Sequence, residues 1–358
     1  MKRLLPFLLP LLATLSLSAQ DIVYTEASDL TLVGKLMPQT PNPYHRVDTV
    51  RFKGFTVSEN RQVRMSSGLA VAFRTDSKSI RVKPVYGYMQ WPMNASGIAA
   101  RGFDLYIRKD GVWRYAASGV HGDDNLGKEL NLISHLDGSL HECLLYLPLY
   151  AEEYSVKIGV DSGSVLEAIP NPFRHRIAIF GSSFTHGSST GRAGMTYPAQ
   201  FSRMTGLQLL SLGCSGNSKL QPYFADVLAA ADVDAFLFDS FSNPSPEQIR
   251  ERLFPFIEKI QAAHPGVPLI FQKTIYRESR NFNTSSEAYE RRRMDVADSL
   301  MKIAVKKYKD VHYITPCATS KSHETSIDGT HPSNEGYTLW AKSIRKSVLR
   351  ILRKYRIQ

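Results

Sequence analysis

The feature that most constrains this chain is a change of texture at Pro170-Asn-Pro172. Before it, short runs alternate apolar and polar residues. After it, short apolar runs alternate with long amphipathic segments. The first pattern asks for antiparallel strands with one buried face; the second asks for a parallel sheet covered by helices on both faces. The stiff Pro-Asn-Pro stretch reads as a linker. It places an all-β unit at 20–170 and an α/β unit at 171–358, and a hydrophobic fraction of 43% is enough for each to bury a core.

In the first unit, Val50–Val57, Ala70–Arg74, Ser79–Val85, Phe103–Arg108, Cys143–Leu147 and Tyr154–Val160 predict strands. Glu152–Val160 alternates apolar and polar residues with β-branched members, which argues against a helix there. Lys109-Asp-Gly111 and Asp161-Ser-Gly163 read as hairpin-like turns, because such turns need residues that tolerate positive φ. Many short strands separated by turns predict an all-β sandwich, jelly-roll-like in kind.

From Arg176 onward, strands Ile177–Phe180, Leu207–Leu212, Ala235–Phe238, Val267–Phe271 and Val311–Thr315 are each followed by a helical segment. Thr196 can cap one helix, with Pro198 in its first turn and Gly206 past its end. Leu220–Ala231 is the second helix. Ser245-Pro-Glu-Gln248 has the spacing of a capping box and opens a helix that runs to about His264. Ser286–Tyr308 and Asn334–Arg356 complete the series.

In such folds ligands sit at the carboxyl ends of the strands. The loops found there are Gly181-Ser-Ser-Phe-Thr-His-Gly187, Gly213-Cys-Ser-Gly-Asn217, Asp239-Ser-Phe-Ser-Asn-Pro244 and Ile327-Asp-Gly-Thr-His-Pro332. Serine, glycine N–H groups, asparagine, aspartate and histidine are the parts needed for acyl transfer. A serine hydroxyl needs a base to take its proton, and a carboxylate fixes the tautomer of that base. The tetrahedral intermediate needs donors for its oxyanion. Ser182 is a second hydroxyl that could serve as nucleophile. His186 is a tempting second base, although pocket lining or plain surface exposure fits its position better. His323-Glu324 has no matching ligand pair, so no metal or other cofactor is expected.

The segments GSSFTHG, LGCSGNSKL and DGTHPSNEGY resemble three of the four blocks of the SGNH/GDSL hydrolase superfamily over about residues 174–356. Gly102-Phe-Asp-Leu-Tyr106 resembles the GxDLY element of the branch in which a β-sandwich precedes the hydrolase, and Leu145–Tyr150 also fits that branch. The resemblance implies a flavodoxin-like three-layer α/β hydrolase behind the sandwich. Ser183 would be the nucleophile, His331 the general base and Asp328 its orienting acid. The Ser183 N–H, Gly216 and Asn243 would form the oxyanion hole. Two positions depart from the family pattern. Ser182 stands where the usual aspartate precedes the nucleophile, and Ser-Phe-Ser-Asn243-Pro replaces the usual Gly-x-Asn-Asp. With the N-terminal export signal, the resemblance implies a secreted serine esterase that removes short acyl groups, foremost acetyl, from a carbohydrate, its partner being a small-molecule or glycan ester substrate. The competing readings are a lipid or phospholipid acylhydrolase and a non-catalytic carbohydrate-binding protein. The loop Tyr276–Ser286 is a candidate to cover the site, and Tyr146 or Tyr150 of the sandwich is a candidate to reach it.

The N-terminus, MKRLLPFLLPLLATLSLSAQ, reads as a signal peptide at 1–19: Lys2 and Arg3 lead, Leu4–Leu17 is apolar but too short to span a bilayer, and small residues follow. Secreted or periplasmic localisation without stable membrane insertion is expected. The net charge is +11. Much of it lies on the final helix and in Arg291-Arg292-Arg293, which read as solvated faces, and export argues against nucleic acid as a partner. Cys143, Cys214 and Cys317 show no metal spacing; Cys214 and Cys317 border apolar segments and read as small buried hydrophobes. The oligomeric state is left open.

Overall fold

The computed structural model describes residues 21–358. The expected export segment at 1–19 lies outside the described residues. The first half holds strands β1 (Ile22–Glu26), β2 (Thr31–Val33), β3 (Ala70–Thr75), β4 (Ile80–Met89), β5 (Phe103–Lys109), β6 (Val112–Gly119), β7 (Leu130–Ile133), β8 (His141–Tyr146), β9 (Ala151–Asp161) and β10 (Leu166–Ala168). It also holds helices α1 (Val57–Arg64) and α2 (Gly97–Arg101). One antiparallel sheet runs β1-β9-β4-β7, and the other runs β10-β3-β8-β5-β6 with β2 also on β3. Ile80, Val82, Val156 and Ile158 from the first sheet meet Val71, Phe73, Leu105, Cys143 and Leu145 from the second in one core. The two sheets therefore pack face to face.

The outer face of the larger sheet is covered as well. Ala70, Ala72, Tyr106, Leu144 and Tyr146 pack with Phe173, Ala193 and Ala199 of the second half. That double burial explains why Cys143–Leu147 reads as an almost unbroken apolar run.

Two local expectations differ from the structure. Val50–Val57 is not a strand. Thr56 caps α1 through a capping box, with the Glu59 N–H donating to the Thr56 hydroxyl at 3.3 Å and the Thr56 N–H donating to the Glu59 carboxylate at 2.8 Å. Phe52 and Phe55 rest on the core of the parallel sheet instead of pairing as a strand. Lys109–Gly111 does close the β5–β6 hairpin, with positive φ at Asp110 and Gly111. Asp161-Ser-Gly163 turns the chain but closes no hairpin, because β9 belongs to one sheet and β10 pairs with β3 in the other.

The second half contains β11 (Arg174–Gly181), α3 (Ser183–His186), α4 (Tyr197–Thr205), β12 (Leu207–Gly213), α5 (Pro222–Ala229) and β13 (Ala235–Asp239). It continues with α6 (Pro246–Ala263), β14 (Leu269–Gln272), α7 (Thr284–Lys307), β15 (Val311–Ile314) and α8 (Asn334–Lys354). The strands form a parallel sheet in the order β12-β11-β13-β14-β15, the doubly wound arrangement of flavodoxin-like folds. Alternate residues feed opposite faces. Ala178, Phe180, Phe236 and Phe238 join α5, α6 and α7 in one core, while Ile177, Ile179, Ala235 and Leu237 join α4 and α8 in the other. Local punctuation sets the helix ends: Thr196 and Gly206 bound α4, and Ser245 with Gln248 forms the capping box of α6. Among the described residues, no helix is long and apolar enough to cross a membrane.

Candidate active site

The carboxyl ends of β11, β12 and β13 meet at Gly181, Gly213 and Asp239, which lie side by side in the ladder. Ser183 opens the short helix α3, with Ser182 as its cap: the Ser182 hydroxyl accepts the Phe184 N–H at 3.2 Å. Gly213 makes the packing beneath this turn possible, since a Cβ there would lie 2.2 Å from the His186 backbone nitrogen.

The Ser183 hydroxyl lies 2.8 Å from His331 Nε2, and His331 Nδ1 lies 2.8 Å from Asp328 Oδ2. Ser183 is 9% exposed, so it is shielded yet accessible to a small reactant. Asp328 and His331 share one self-tied loop. Asp328 Oδ1 accepts the N–H groups of Thr330 at 2.9 Å and His331 at 2.7 Å. The Ile327 N–H and the Ser326 hydroxyl both donate to the His331 carbonyl. Burial works to raise the pKa of Asp328. Hydrogen bonds from the His331 N–H, the His331 ring and Asn94 outweigh it and hold the carboxyl well below its usual range. The side chain is therefore an anion across the neutral range, which suits it to steady a developing imidazolium.

Ser182 is accounted for by Asp239, a residue not singled out from the sequence as a partner. Asp239 Oδ2 accepts the Ser182 N–H at 3.1 Å, the Ser182 hydroxyl at 2.8 Å and the Thr185 hydroxyl at 3.0 Å. Asp239 Oδ1 accepts the Ser242 hydroxyl at 3.2 Å. A carboxylate thus stands under the turn that carries Ser183, although it comes from β13 and not from the residue before Ser183. Burial pushes its pKa up to about 6, against those hydrogen bonds. The Ser182 hydroxyl is committed to Asp239 and to the Phe184 N–H, so of the two serines it is Ser183 that bonds His331.

Gly216 has φ +73°, a conformation that suits glycine. Asn243 Oδ1 accepts the Ser218 N–H at 3.2 Å, which ties the loops after β12 and β13 together and leaves the amide nitrogen for another acceptor. Among the described residues no acceptor takes the N–H of Ser183 or Gly216, or the amide nitrogen of Asn243. The Asn243 loop is held from behind. Arg277 and Arg293 both donate to the Ser242 carbonyl, at 2.7 and 2.9 Å, and both pair with buried Glu290. The expectation that Arg291–Arg293 is a solvated cluster therefore fails at Arg293, whose buried guanidinium bridges α7 to the site loop.

Further expectations are corrected here. His186 neither lines a pocket nor reaches the surface. It is fully buried, stacks on Tyr150 at 4.3 Å between ring centroids and donates through Nε2 to the Leu149 carbonyl at 2.6 Å. Burial, then the charge of Arg46, pushes its pKa down to about 3, so it is held neutral. Tyr146 does not bond the site loops but pairs with Arg203 in the interface between the two halves, whereas Tyr150 does touch the loop after β12, through the Ser215 hydroxyl, and also bonds Ser188. Cys317 is exposed, whereas Cys143 and Cys214 are buried. The segment after β14 touches the loop that carries Asp328 and His331: the Ser279 N–H donates to the Gly329 carbonyl at 2.7 Å. His323 pairs with Glu278 at 2.6 Å.

The first half braces the site from two sides. The Gln62 amide of α1 donates to the Ser215 carbonyl at 3.0 Å, and the Asn217 amide donates to Gln62 at 2.9 Å. Arg46, fully buried, donates to the carbonyls of Met65, Ser211 and Gly213 at 2.8, 3.2 and 3.1 Å. On the other side, Asn94 reaches Asp328.

Residues 174–350 match the GDSL-like lipase/acylhydrolase family, and residues 22–166 match GxDLY, the N-terminus of SGNH-hydrolase-type esterases. A solved structure from Bacteroides ovatus, described as a GDSL-like lipase, is 35% identical with a TM-score of 0.89, covering 93% of this chain and 98% of that one. The salicylyl-acyltransferase SsfX3 from a tetracycline biosynthetic pathway is 20% identical with a TM-score of 0.70, covering 94% and 99%. A family two carbohydrate esterase from Cellvibrio japonicus is 10% identical with a TM-score of 0.59, covering 93% and 99%. The last two share the fold. A search of curated proteins gives no match. The chain belongs to the GDSL-like lipase/acylhydrolase family, in the form that carries a GxDLY N-terminus, and is an esterase of the SGNH/GDSL type.

Proposed function

We propose that the protein hydrolyses short-chain acyl esters, foremost acetyl esters, on carbohydrate. The single observation that carries this reading is the hydrogen-bonded chain from the Ser183 hydroxyl through His331 to Asp328, at 2.8 Å in each link. Ser183 attacks the ester carbonyl as His331 Nε2 takes its proton, and Asp328 holds the imidazole in the tautomer that can accept it. His331 then returns the proton to the leaving alcohol. An acyl-Ser183 enzyme remains, and water activated by the same base hydrolyses it. The Ser183 N–H, the Gly216 N–H and the Asn243 amide are assigned to the oxyanion, since each is a donor left without an acceptor. The carbohydrate part of the reading draws support from the architecture shared with a protein described as a carbohydrate esterase.

We also propose that residues 1–19 export the chain to the periplasm or the medium, and that the linker near Pro170 separates a β-sandwich unit from the hydrolase unit. The test of function is hydrolysis of p-nitrophenyl acetate beside longer acyl esters, with acetate release from acetylated oligosaccharides measured in parallel. Preference for acetyl and release from the glycan support the proposal. Preference for long acyl chains moves the assignment to lipid substrates, and glycan binding without ester turnover makes the protein a binder.

A further inference from the structure

We propose that Asn94, supplied by the β-rich half, is a positioning residue of the catalytic triad. The inference rests on the proposed triad. Asn94 Nδ2 donates to Asp328 Oδ2 at 2.8 Å and lies 3.1 Å from His331 Nδ1. With Nε2 accepting the Ser183 proton, Nδ1 carries its own hydrogen toward Asp328. The contact with Nδ1 is then edge packing, and the hydrogen bond runs to the carboxylate. Asp328 Oδ2 thus takes two donors, one from the ring and one from Asn94, while Oδ1 takes the two backbone N–H groups. The backbone N–H groups hold the carboxylate through Oδ1, and Asn94 is the donor that sets Oδ2 itself beside the ring it orients.

Asn94 is well anchored for such a role. Ser96 caps α2 by accepting the Ala99 N–H at 3.0 Å, and it donates to the Gly191 carbonyl at 2.6 Å. Gly191 in turn donates to Asn334 at the start of α8 at 2.8 Å. The Ala99 and Ala100 carbonyls accept the N–H groups of Leu149 and Tyr150 at 3.0 and 2.9 Å. His186 donates to the Leu149 carbonyl. A closed circuit therefore runs from the Asn94 loop through α2 to the base of the nucleophile turn. The same loop forms one wall of a cleft of about 510 Å³ with Ser189–Gly191, Ile327 and Asn334.

The test is a double-mutant cycle on the full chain, using p-nitrophenyl acetate. Asn94→Ala and Asn94→Leu are each made alone and with Asp328→Ala, with Ser183→Ala as the control. Loss of one hydrogen bond to a charged group that water can partly replace is worth about tenfold in kcat. Each Asn94 variant alone should lower kcat by about that factor with KM within about twofold. In the Asp328→Ala background the same substitutions should cost less than about twofold, because the group they act through is gone. A full Asn94 penalty that persists without Asp328 overturns the proposal, as does unchanged kcat in both single variants. If Ser183→Ala keeps wild-type activity, the triad itself fails. A dead Ser183→Ala with indifferent Asn94 variants sinks the positioning role alone.

Discussion

The two halves of the molecule divide the work unequally. Every reacting group of the proposed mechanism lies in the α/β half: Ser183, Gly216 and Asn243 follow closely on the ends of β11, β12 and β13, and Asp328 and His331 sit in the long connection between β15 and α8. The β-rich half contributes none of them, yet Arg46, Gln62 and Asn94 fix the loops that carry them. Chemistry here is local to one sheet edge, while positioning is spread over residues far apart in sequence. Loss of a support on either side should therefore reduce catalysis, with an effect that follows how deeply the support is buried.

The largest effect is expected beneath the nucleophile. Asp239→Ala leaves the buried Ser182 N–H without its acceptor and takes one partner from each of the hydroxyls of Ser182, Thr185 and Ser242, which keep only Phe184, Tyr197 and Thr274. It should lower stability by about 3 kcal/mol and kcat by about a hundredfold, read by thermal unfolding and acetyl-ester turnover. Wild-type kcat in this variant would remove Asp239 from the account. Arg46→Met tests the opposite side. It strips donors from the carbonyls of Met65, Ser211 and Gly213, and should cost about 2 kcal/mol with a roughly fivefold loss of kcat. A loss of stability with no change in kcat would show that the two halves are joined without being coupled at the site.

Buried His186 makes stability depend on pH. Its folded pKa lies near 3 against 6.5 for the free side chain, because burial disfavours the charged ring. The unfolded chain therefore binds a proton below about pH 6.5 that the folded chain refuses until about pH 3. Stability contributed by this group is present above pH 6.5 and is lost as pH falls through that window, at a limiting slope of about 1.4 kcal/mol per pH unit. His186→Phe, which keeps a ring to stack on Tyr150, should flatten the acid side of the stability profile. An unchanged profile would contradict the buried neutral histidine. The smallest effect is expected at Arg291: its exposed pair with Glu287 is screened by water, so Arg291→Ala should leave the thermal unfolding midpoint and acetyl-ester turnover at their wild-type values.

The same division governs what could be read in the sequence. In the α/β half, strand length, caps and breakers are set by neighbours in the chain, so Thr196, Gly206 and Ser245 marked their helices within a residue or two. The loops they frame bring Ser183, His331 and Asp328 into one hydrogen-bonded line. In the β-rich half, alternation alone misled at Val50–Val57, where the Thr56–Glu59 capping box was the stronger local signal. Asp161–Gly163 had turn chemistry but gave no hint that the chain changes sheets there. Asn94 and Asp239 were illegible for a different reason: each acts on a partner in a distant segment, and neither carries a local pattern. His186 and Arg293 were misjudged because polarity was read as exposure, whereas each found a partner inside.

The most direct measurement is covalent labelling with an activated phosphonate, followed by peptide mass spectrometry with fragmentation between residues 182 and 183. The phosphonate phosphorus mimics the ester carbonyl carbon, and only an activated hydroxyl displaces its leaving group. The account predicts one label per chain, on Ser183, formed at least about a hundredfold more slowly when His331 is alanine. A label on Ser182, or one on Ser183 that forms at the wild-type rate without His331, would contradict it.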